Sequence, residues 1–508
     1  MKKNNSNQFC QDIFGLDLPF GKVLVNVLMS LSSNDSRSVV GLSESPLFSH
    51  SYSSLSQSVS GLSVDRSDYV SVLRQLQGVW MSYYDSPLGH YSFQTDTSPV
   101  TKPFSKKLGE RQYVNVPNNV VPGNKSLDIG YNYSYVNLGY SPLQGGSRWS
   151  LPVDVERVFL DSDAIKTALV QHARLMTDAD LPFSTAELVI NSSDSGYFTP
   201  RYLSELVEKY PNMVQVCRNR HGSKVWQQAV PTPRTEGQKG AASVYGDTTY
   251  YLIAHSDVKK TTNGKTKVES VKERTSIYDL PVTETVEIET VTSRGRALIV
   301  KIDRWDNVMI RSKAGHSMKD KPFNLFASQV IDAQTGELVF QKPMFISVLG
   351  KLKDKVTTQQ AHQEYRNRYD IEVHNRFSSH NLLLNAYQTP EVQTLDNWLL
   401  IVAIAYWLLF VAADEVEHVV KPWERNLPKN KEVGNDQTKQ NKPKKSVAQT
   451  KKGAERLFYT FDRKPYQPKS VNNGKGRKKG IKMIEKKDKK VNRKTNKSNF
   501  YNKTQKNE

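Results

Sequence analysis

Three acidic residues could do chemistry in this chain: Asp96, Asp194 and Glu372. Glu372 closes the stretch Tyr365-Arg366-Asn367-Arg368-Tyr369-Asp370-Ile371-Glu372, which reads as a helix. At about 100° per residue, Tyr365, Arg368 and Glu372 fall on one narrow stripe. An arginine binds phosphate, a carboxylate binds metal, and a phenol donates a hydrogen bond or stacks, so this face suits a divalent ion beside a phosphodiester. Three carboxylates without a His or Cys cluster favour Mg²⁺ or Mn²⁺ over zinc. Two such ions can activate an attacking oxygen and stabilise a leaving one. Taken singly, each acid is more ordinarily a surface charge or a cap. Asp194 could merely open the turn before Tyr197, and Asp96 could end a strand. The reading therefore rests on their company.

Rigid elements must bring these residues together. Tyr91 to Asp96 alternates as a strand and ends on the carboxylate, Leu127 to Leu138 alternates again, and Trp149 to Val155 gives a third strand. Asp161 to Met176 has the pattern of an amphipathic helix. Ala186 to Ile190 is a short apolar strand leading to Asp194. Thr199-Pro200 opens another helix, and Met213 to Cys217 reads as a strand. Three strands, helix, strand, helix, strand predicts an α/β fold with a mixed sheet and helices on its faces. If the strands carrying Asp96 and Asp194 are neighbours, their carboxylates meet at one edge.

Composition narrows the partner. The 508 residues carry a formal net charge of +20, which favours a polyanion such as nucleic acid or an anionic membrane. Hydrophobic content of 37% is adequate for real cores. The two cysteines, Cys10 and Cys217, can build neither a disulfide framework nor a zinc site and read as isolated thiols. The N-terminus leads to no long apolar core with a cleavage site, which predicts no signal peptide and a cytoplasmic location. Trp398 to Ala413 is an unbroken apolar run, shorter than the roughly 20 residues of a membrane span and closed by acidic residues. It predicts a buried helix and no membrane partner. A basic membrane-anchored protein is the rival reading of this run. Gly-rich phosphate loops and a G-x-S-x-G elbow are absent, so no nucleotide cofactor and no serine nucleophile are expected.

Tyr365-x-x-Arg368-x-x-x-Glu372 resembles the Y-R-E part of the Y-R-E-K signature of DDE transposases of prokaryotic insertion sequences. The surroundings YRNRYDIEVHNRF, LLLNAYQTPEVQTLDNW and KPWERNLP are similar to one cluster of these enzymes. TDTSPVTKPFSKKLGERQYV and VINSSDSGYFTPRYL resemble the blocks that hold the two catalytic aspartates, here Asp96 and Asp194. The resemblance covers roughly residues 84–428. It implies an RNase H-like catalytic domain with a β-rich insertion before the last acid, and Mg²⁺-dependent cutting and joining of double-stranded DNA by a homodimer. Asp96, Asp194 and Glu372 would be catalytic and hold metal, while Tyr365 and Arg368 would contact DNA. The pattern expects a lysine two turns beyond the glutamate, where this chain has Ser379. Arg376, one turn beyond Glu372 on the same stripe, could cover the lost cation. A catalytically inactive, transposase-derived DNA-binding protein is the alternative.

The resulting organisation is a helical N-terminal region at 1–85, a candidate for DNA binding. The first part of the catalytic domain follows at 86–218 and an all-β insertion at 219–350. A C-terminal helical part carrying Glu372 occupies 351–428, and a basic tail predicted to be disordered occupies 429–508. Within this frame Val23 to Leu31 and Tyr69 to Tyr84 are expected helices, and Lys259 to Lys265 a polar loop. One helix should run from a cap at Thr357 to about Tyr387. Tyr131, Tyr133 and Tyr135 read as the face of a strand, and His374 and His380 as packing or surface residues.

Overall fold

The structure, a computed structural model, describes residues 6–459 apart from 20, 34, 87, 117–126, 143–146, 230–242, 254–258, 263–268, 273, 293–294, 314 and 417–445. In chain order the first elements are α1 (Ser6–Phe14), α2 (Gly21–Ser33), α3 (Val39–Ser43), α4 (Tyr52–Ser60), α5 (Arg66–Tyr83) and β1 (Tyr91–Thr101). Next come β2 (Gln112–Asn115), β3 (Leu127–Tyr140), β4 (Trp149–Arg157), α6 (Ala164–Thr177), β5 (Val189–Ser193), α7 (Pro200–Lys209) and β6 (Met213–Arg218). The β-rich segment holds β7 (Lys224–Gln227), β8 (Tyr250–Tyr251), β9 (Lys259–Thr262), β10 (Glu269–Lys272), β11 (Glu284–Val291), β12 (Ala297–Met309), β13 (Phe323–Asp332) and β14 (Met344–Leu349). The last elements are α8 (Thr358–Asn367), α9 (Tyr369–Asn381), α10 (Val392–Ala412) and α11 (Val447–Tyr459).

These residues form two compact units. A sheet unit comprises Gly89–Asp96 and Ala168–Ile371, and a helix-rich unit comprises Met1–Leu88, Thr97–Thr167 and Glu372–Glu508. Sequence segment 86–218 is therefore shared between them.

In the sheet unit the strand order is β1, β5, β6, β14, β13, β12, β7, β8, with β11 also paired to β12. β1, β5 and β6 run parallel, and the strands beyond β6 are antiparallel, so the sheet is mixed. Parallel neighbours need a crossover, and α7 supplies the one between β5 and β6. The expected cap of α7 is present: Thr199 accepts from the Tyr202 amide with Pro200 at the first position. The β-rich segment is mostly strand as expected, and β14, β13 and β12 continue the sheet from β6. The physical reason lies in β14, nearly all buried, which needs a neighbour on each side; β6 and β13 are those neighbours. Lys259–Thr262, expected as loop, pairs with β10 as a hairpin.

The helix-rich unit is built around α10. This 21-residue helix is long and apolar enough to cross a membrane, yet it is almost wholly buried inside the protein. α1, α2, α4, α5, α11 and β4 surround it. Trp407 stacks on Trp80 at 5.7 Å and donates to the Pro152 carbonyl at 2.7 Å. Tyr133 and Arg157 bind the buried Asp396 near its start, so the tyrosine face of β3 is core.

Two expectations change here. The helix from Thr357 is capped as expected, with Thr357 accepting from the Gln360 amide, but it becomes α8 and α9. Around Arg368 the turns tighten: its amide donates to both Glu364 and Tyr365, and the Ile371 amide to Arg368. α9 stops at Asn381, not Tyr387, because Leu383 turns left-handed (φ 56°) and the amides of Leu382 and Leu384 both return to the Ser378 carbonyl. Lys102, just past β1, is buried and donates to the carbonyls of Asn385 and Tyr387, 2.8 Å each. The second change concerns the tail, where 447–459 is helical. Val447, Thr450, Ala454 and Phe458 form its buried stripe against α2 and α10. Averaging over a lysine-rich stretch hid that stripe. The remainder of the tail and the block KPWERNLP lie outside the described residues.

Candidate functional site

The sheet unit brings two of the three predicted acids together. β1 and β5 are adjacent and parallel, with Thr95 opposite Ser193. Asp96 and Asp194 each follow that last pair, Asp194 just past the carboxyl end of β5 and Asp96 inside β1 where its pairing with β5 stops. That end of a parallel sheet is where ligands bind in open α/β folds. β6 continues the row: Ser193 lies opposite Cys217, and Arg218 comes next. Strand alternation therefore lines up Asp96, Asp194 and Arg218 on one face.

α8 lies on that face and is pinned to it row by row. Val356, Ala361 and Tyr365 pack into the core with Ile190, Val214, Val216 and Val348. Glu364 accepts from Ser92 at 2.6 Å and sits 2.8 Å from His90 Nε2, with all three buried. Ser192 donates to the Glu364 carbonyl at 3.3 Å, and one row further Gln94 donates to the Asn367 carbonyl at 2.9 Å. The next row reaches the acids: Arg368 Nη1 lies 3.7 Å from Asp96 Oδ2.

Tyr365 is buried, with the Arg368 guanidinium 5.5 Å over its ring and Arg218 also close enough to favour the ionised phenol. Burial pushes the phenol above its ordinary pKa, so it stays protonated. Asp194 Oδ1 accepts from the Gly196 amide at 2.8 Å and its carbonyl from the Tyr197 amide, so it also opens a turn. The site is thus a pair of carboxylates bordered by two arginines and a buried phenol.

Glu372 and Arg376 are exposed residues of α9 that belong to the helix-rich unit. Among the described residues, no group of three His, Cys, Asp or Glu has the spacing to hold a metal ion. The Asp96–Asp194 pair alone offers the bare oxygen donors that a hard divalent cation takes. His374 is buried against the rings of Tyr135 and Tyr406, a packing role, and burial lowers its pKa to about 4. Both cysteines are buried, with their thiols pushed up to about 12, so neither is a nucleophile.

Sequence reasoning missed Arg218 and Glu364. Arg218 could have been found as the next same-face residue after Val214 and Val216. Glu364 precedes Tyr365 but looks like any helical acid until His90 and Ser92 are seen beneath it.

No protein-family model matches the chain, and no curated protein does. Among solved structures, it is similar to piggyBac transposase in a synaptic complex with hairpin DNA. That likeness has a TM-score of 0.31 and 10% identity over 81% of this chain. The chain covers 66% of that protein, just under two thirds of its length.

Proposed function

We propose that this chain is a DDE transposase of the insertion-sequence type that cuts DNA and transfers the cut strand, with an RNase H-like catalytic domain. The observation that carries the reading is the placement of Asp96 and Asp194 just past the last paired row of two adjacent parallel strands, faced by Arg368 and Arg218. Asp96 and Asp194 would hold Mg²⁺ or Mn²⁺ together with Glu372, which enters on sequence grounds. Such ions, when bound, supply the positive charge that phosphodiester displacement needs at its attacking and leaving oxygens. Arg368 and Arg218 would turn toward the scissile phosphate beside the buried phenol of Tyr365. Arg376 would cover the position where the family carries lysine.

A second set of cations supports a polyanionic partner. In the sheet unit Arg311 lies 4.6 Å over the Trp226 ring, and Arg274 lies 4.8 Å over Tyr251, which Lys224 also approaches at 5.7 Å. Rings beneath a guanidinium leave its edges free for phosphate. Double-stranded DNA bound by a homodimer is the proposed partner, and the nucleoid the proposed location.

The test is nicking of supercoiled plasmid carrying the element ends, with Mg²⁺ or Mn²⁺. Wild type should nick, while Asp96→Asn, Asp194→Asn and Glu372→Ala should each lose more than about a hundredfold, the scale of several kcal/mol. A wild type that binds the ends but never nicks would favour the second reading, an inactive DNA-binding relative. Ser379 and the Arg368–Asp96 ion pair are the features that point that way.

A further inference from the structure

The opposite face of β1, β5 and β6, where their parallel pairing stops, carries a buried polar network. Thr95, Ser193 and Cys217 form the last in-register row before Asp96, Asp194 and Arg218. Their side chains point away from α8. Thr95 donates to Asn191 Oδ1 at 2.7 Å. Asn191 donates to the Tyr202 hydroxyl at 3.0 Å and to Gln215 Oε1 at 2.7 Å. Gln215 donates to Ser193 at 2.8 Å, Ser193 to the Cys217 sulfur at 3.4 Å, and Cys217 to the Asp194 carbonyl at 3.2 Å. His172 Nε2 lies 3.1 Å from both the Thr95 and Tyr202 hydroxyls. Each of these side chains is at most 1% exposed.

A simple core would serve stability better with apolar residues here, because every polar group taken from water must be repaid by a partner. This one spans all three strands where their parallel pairing stops, and its last bond returns to the backbone of Asp194. We infer that Thr95, Asn191 and Gln215 are positioning residues that fix the height and spacing of Asp96 and Asp194. The inference rests on the transposase reading for its consequence in catalysis, though not for its structural effect. Metal and phosphate chemistry tolerates little misplacement: about 1 Å can cost a hundredfold in rate. A hydrogen-bonded lattice fixes direction as well as distance, which non-directional packing does not.

The test uses the full-length protein with Thr95→Val, which keeps shape and removes the hydroxyl, and Thr95→Ser, which keeps the hydroxyl. A double variant, Asn191→Leu/Gln215→Met, removes both amides together. Thr95→Val and the double variant should lower the single-turnover nicking rate at least tenfold with DNA affinity within twofold of wild type. Thr95→Ser should stay within threefold. Amide hydrogen exchange is read on the same proteins without DNA. Exchange should rise at 95–96 and 193–194 in Thr95→Val while 91–92 and 189–190 keep their protection. Unchanged exchange at 95–96 and 193–194, or equal nicking by Val and Ser variants, overturns the inference. A wild type that fails to nick overturns the transposase reading alone, and the exchange result then decides the network by itself.

Discussion

Arg368 places its guanidinium 3.7 Å from the carboxylate of Asp96, at the end of a helix held to the sheet one row at a time. The same guanidinium lies 5.5 Å over the Tyr365 ring. Asp96 therefore already has a cation beside it, and any divalent ion must share that carboxylate with Arg368. Arg368→Ala should abolish most nicking, by more than about a hundredfold. It should leave the Mg²⁺ concentration for half-maximal residual activity unchanged or lower. A rise in that concentration would show that the arginine helps the metal site and does not compete with it.

The clasp of Glu364 with His90 and Ser92 should be a main anchor of α8. Glu364→Ala leaves two buried polar groups without their acceptor and should cost about 3 kcal/mol in urea unfolding. Glu364→Gln keeps an acceptor for Ser92 and should cost roughly half as much. A loss below about 1 kcal/mol for the alanine variant would mean that packing of Val356, Ala361 and Tyr365 suffices.

Acid should weaken the fold through buried neutral histidines. Burial lowers His172 to about 3 and, with Arg366 adding a smaller push, His362 to about 4; burial also brings His374 to about 4. Each folded pKa lies below the unfolded value near 6.5, so the unfolded chain binds the proton first as pH falls. Their stabilising contribution is complete above about 6.5 and is lost on the way down to the folded values. The limiting slope is about 1.4 kcal/mol per pH unit for each histidine. Urea midpoints measured from pH 7 to pH 5 should fall, and His172→Gln should flatten the curve by about one such share. A flat wild-type profile would contradict neutral burial of these rings.

The tail should divide into two parts with different roles. Residues 461–508 carry 17 Lys and Arg against 4 Asp and Glu. Removing 460–508 should flatten the salt dependence of DNA binding, because fewer phosphates are neutralised, with no change in melting temperature. Removing 446–508 also deletes α11 and its fully buried Phe458. That should lower stability by about 3 kcal/mol or more, the cost of losing a buried aromatic side chain. Equal melting temperatures for the two truncations would show that α11 contributes nothing to the core.

Asp96, Asp194, Tyr365, Arg368 and Glu372 could be singled out in the sequence because their chemistry is carried by residue type and local period. The Thr199–Pro200 helix start and the Thr357 cap were legible for the same reason: a cap is a short-range hydrogen bond between residues two or three apart. The α/β order was legible because strand and helix periods differ. Arg218, Glu364 and the Thr95–Asn191–Gln215 network were not, since a polar residue in a strand or helix gains its role only from a partner tens or hundreds of residues away. The same holds for Lys102, which looks solvated until two carbonyls far along the chain surround its ammonium group. The β-rich segment could be recognised as strand, but periodicity is silent about which strand lies beside which. Only tertiary pairing set β14 beside β6, and only the parallel register of β1 with β5 placed Asp96 next to Asp194. Residue type and spacing thus fixed which groups could react, and long-range hydrogen bonds and packing decided which of them stand side by side.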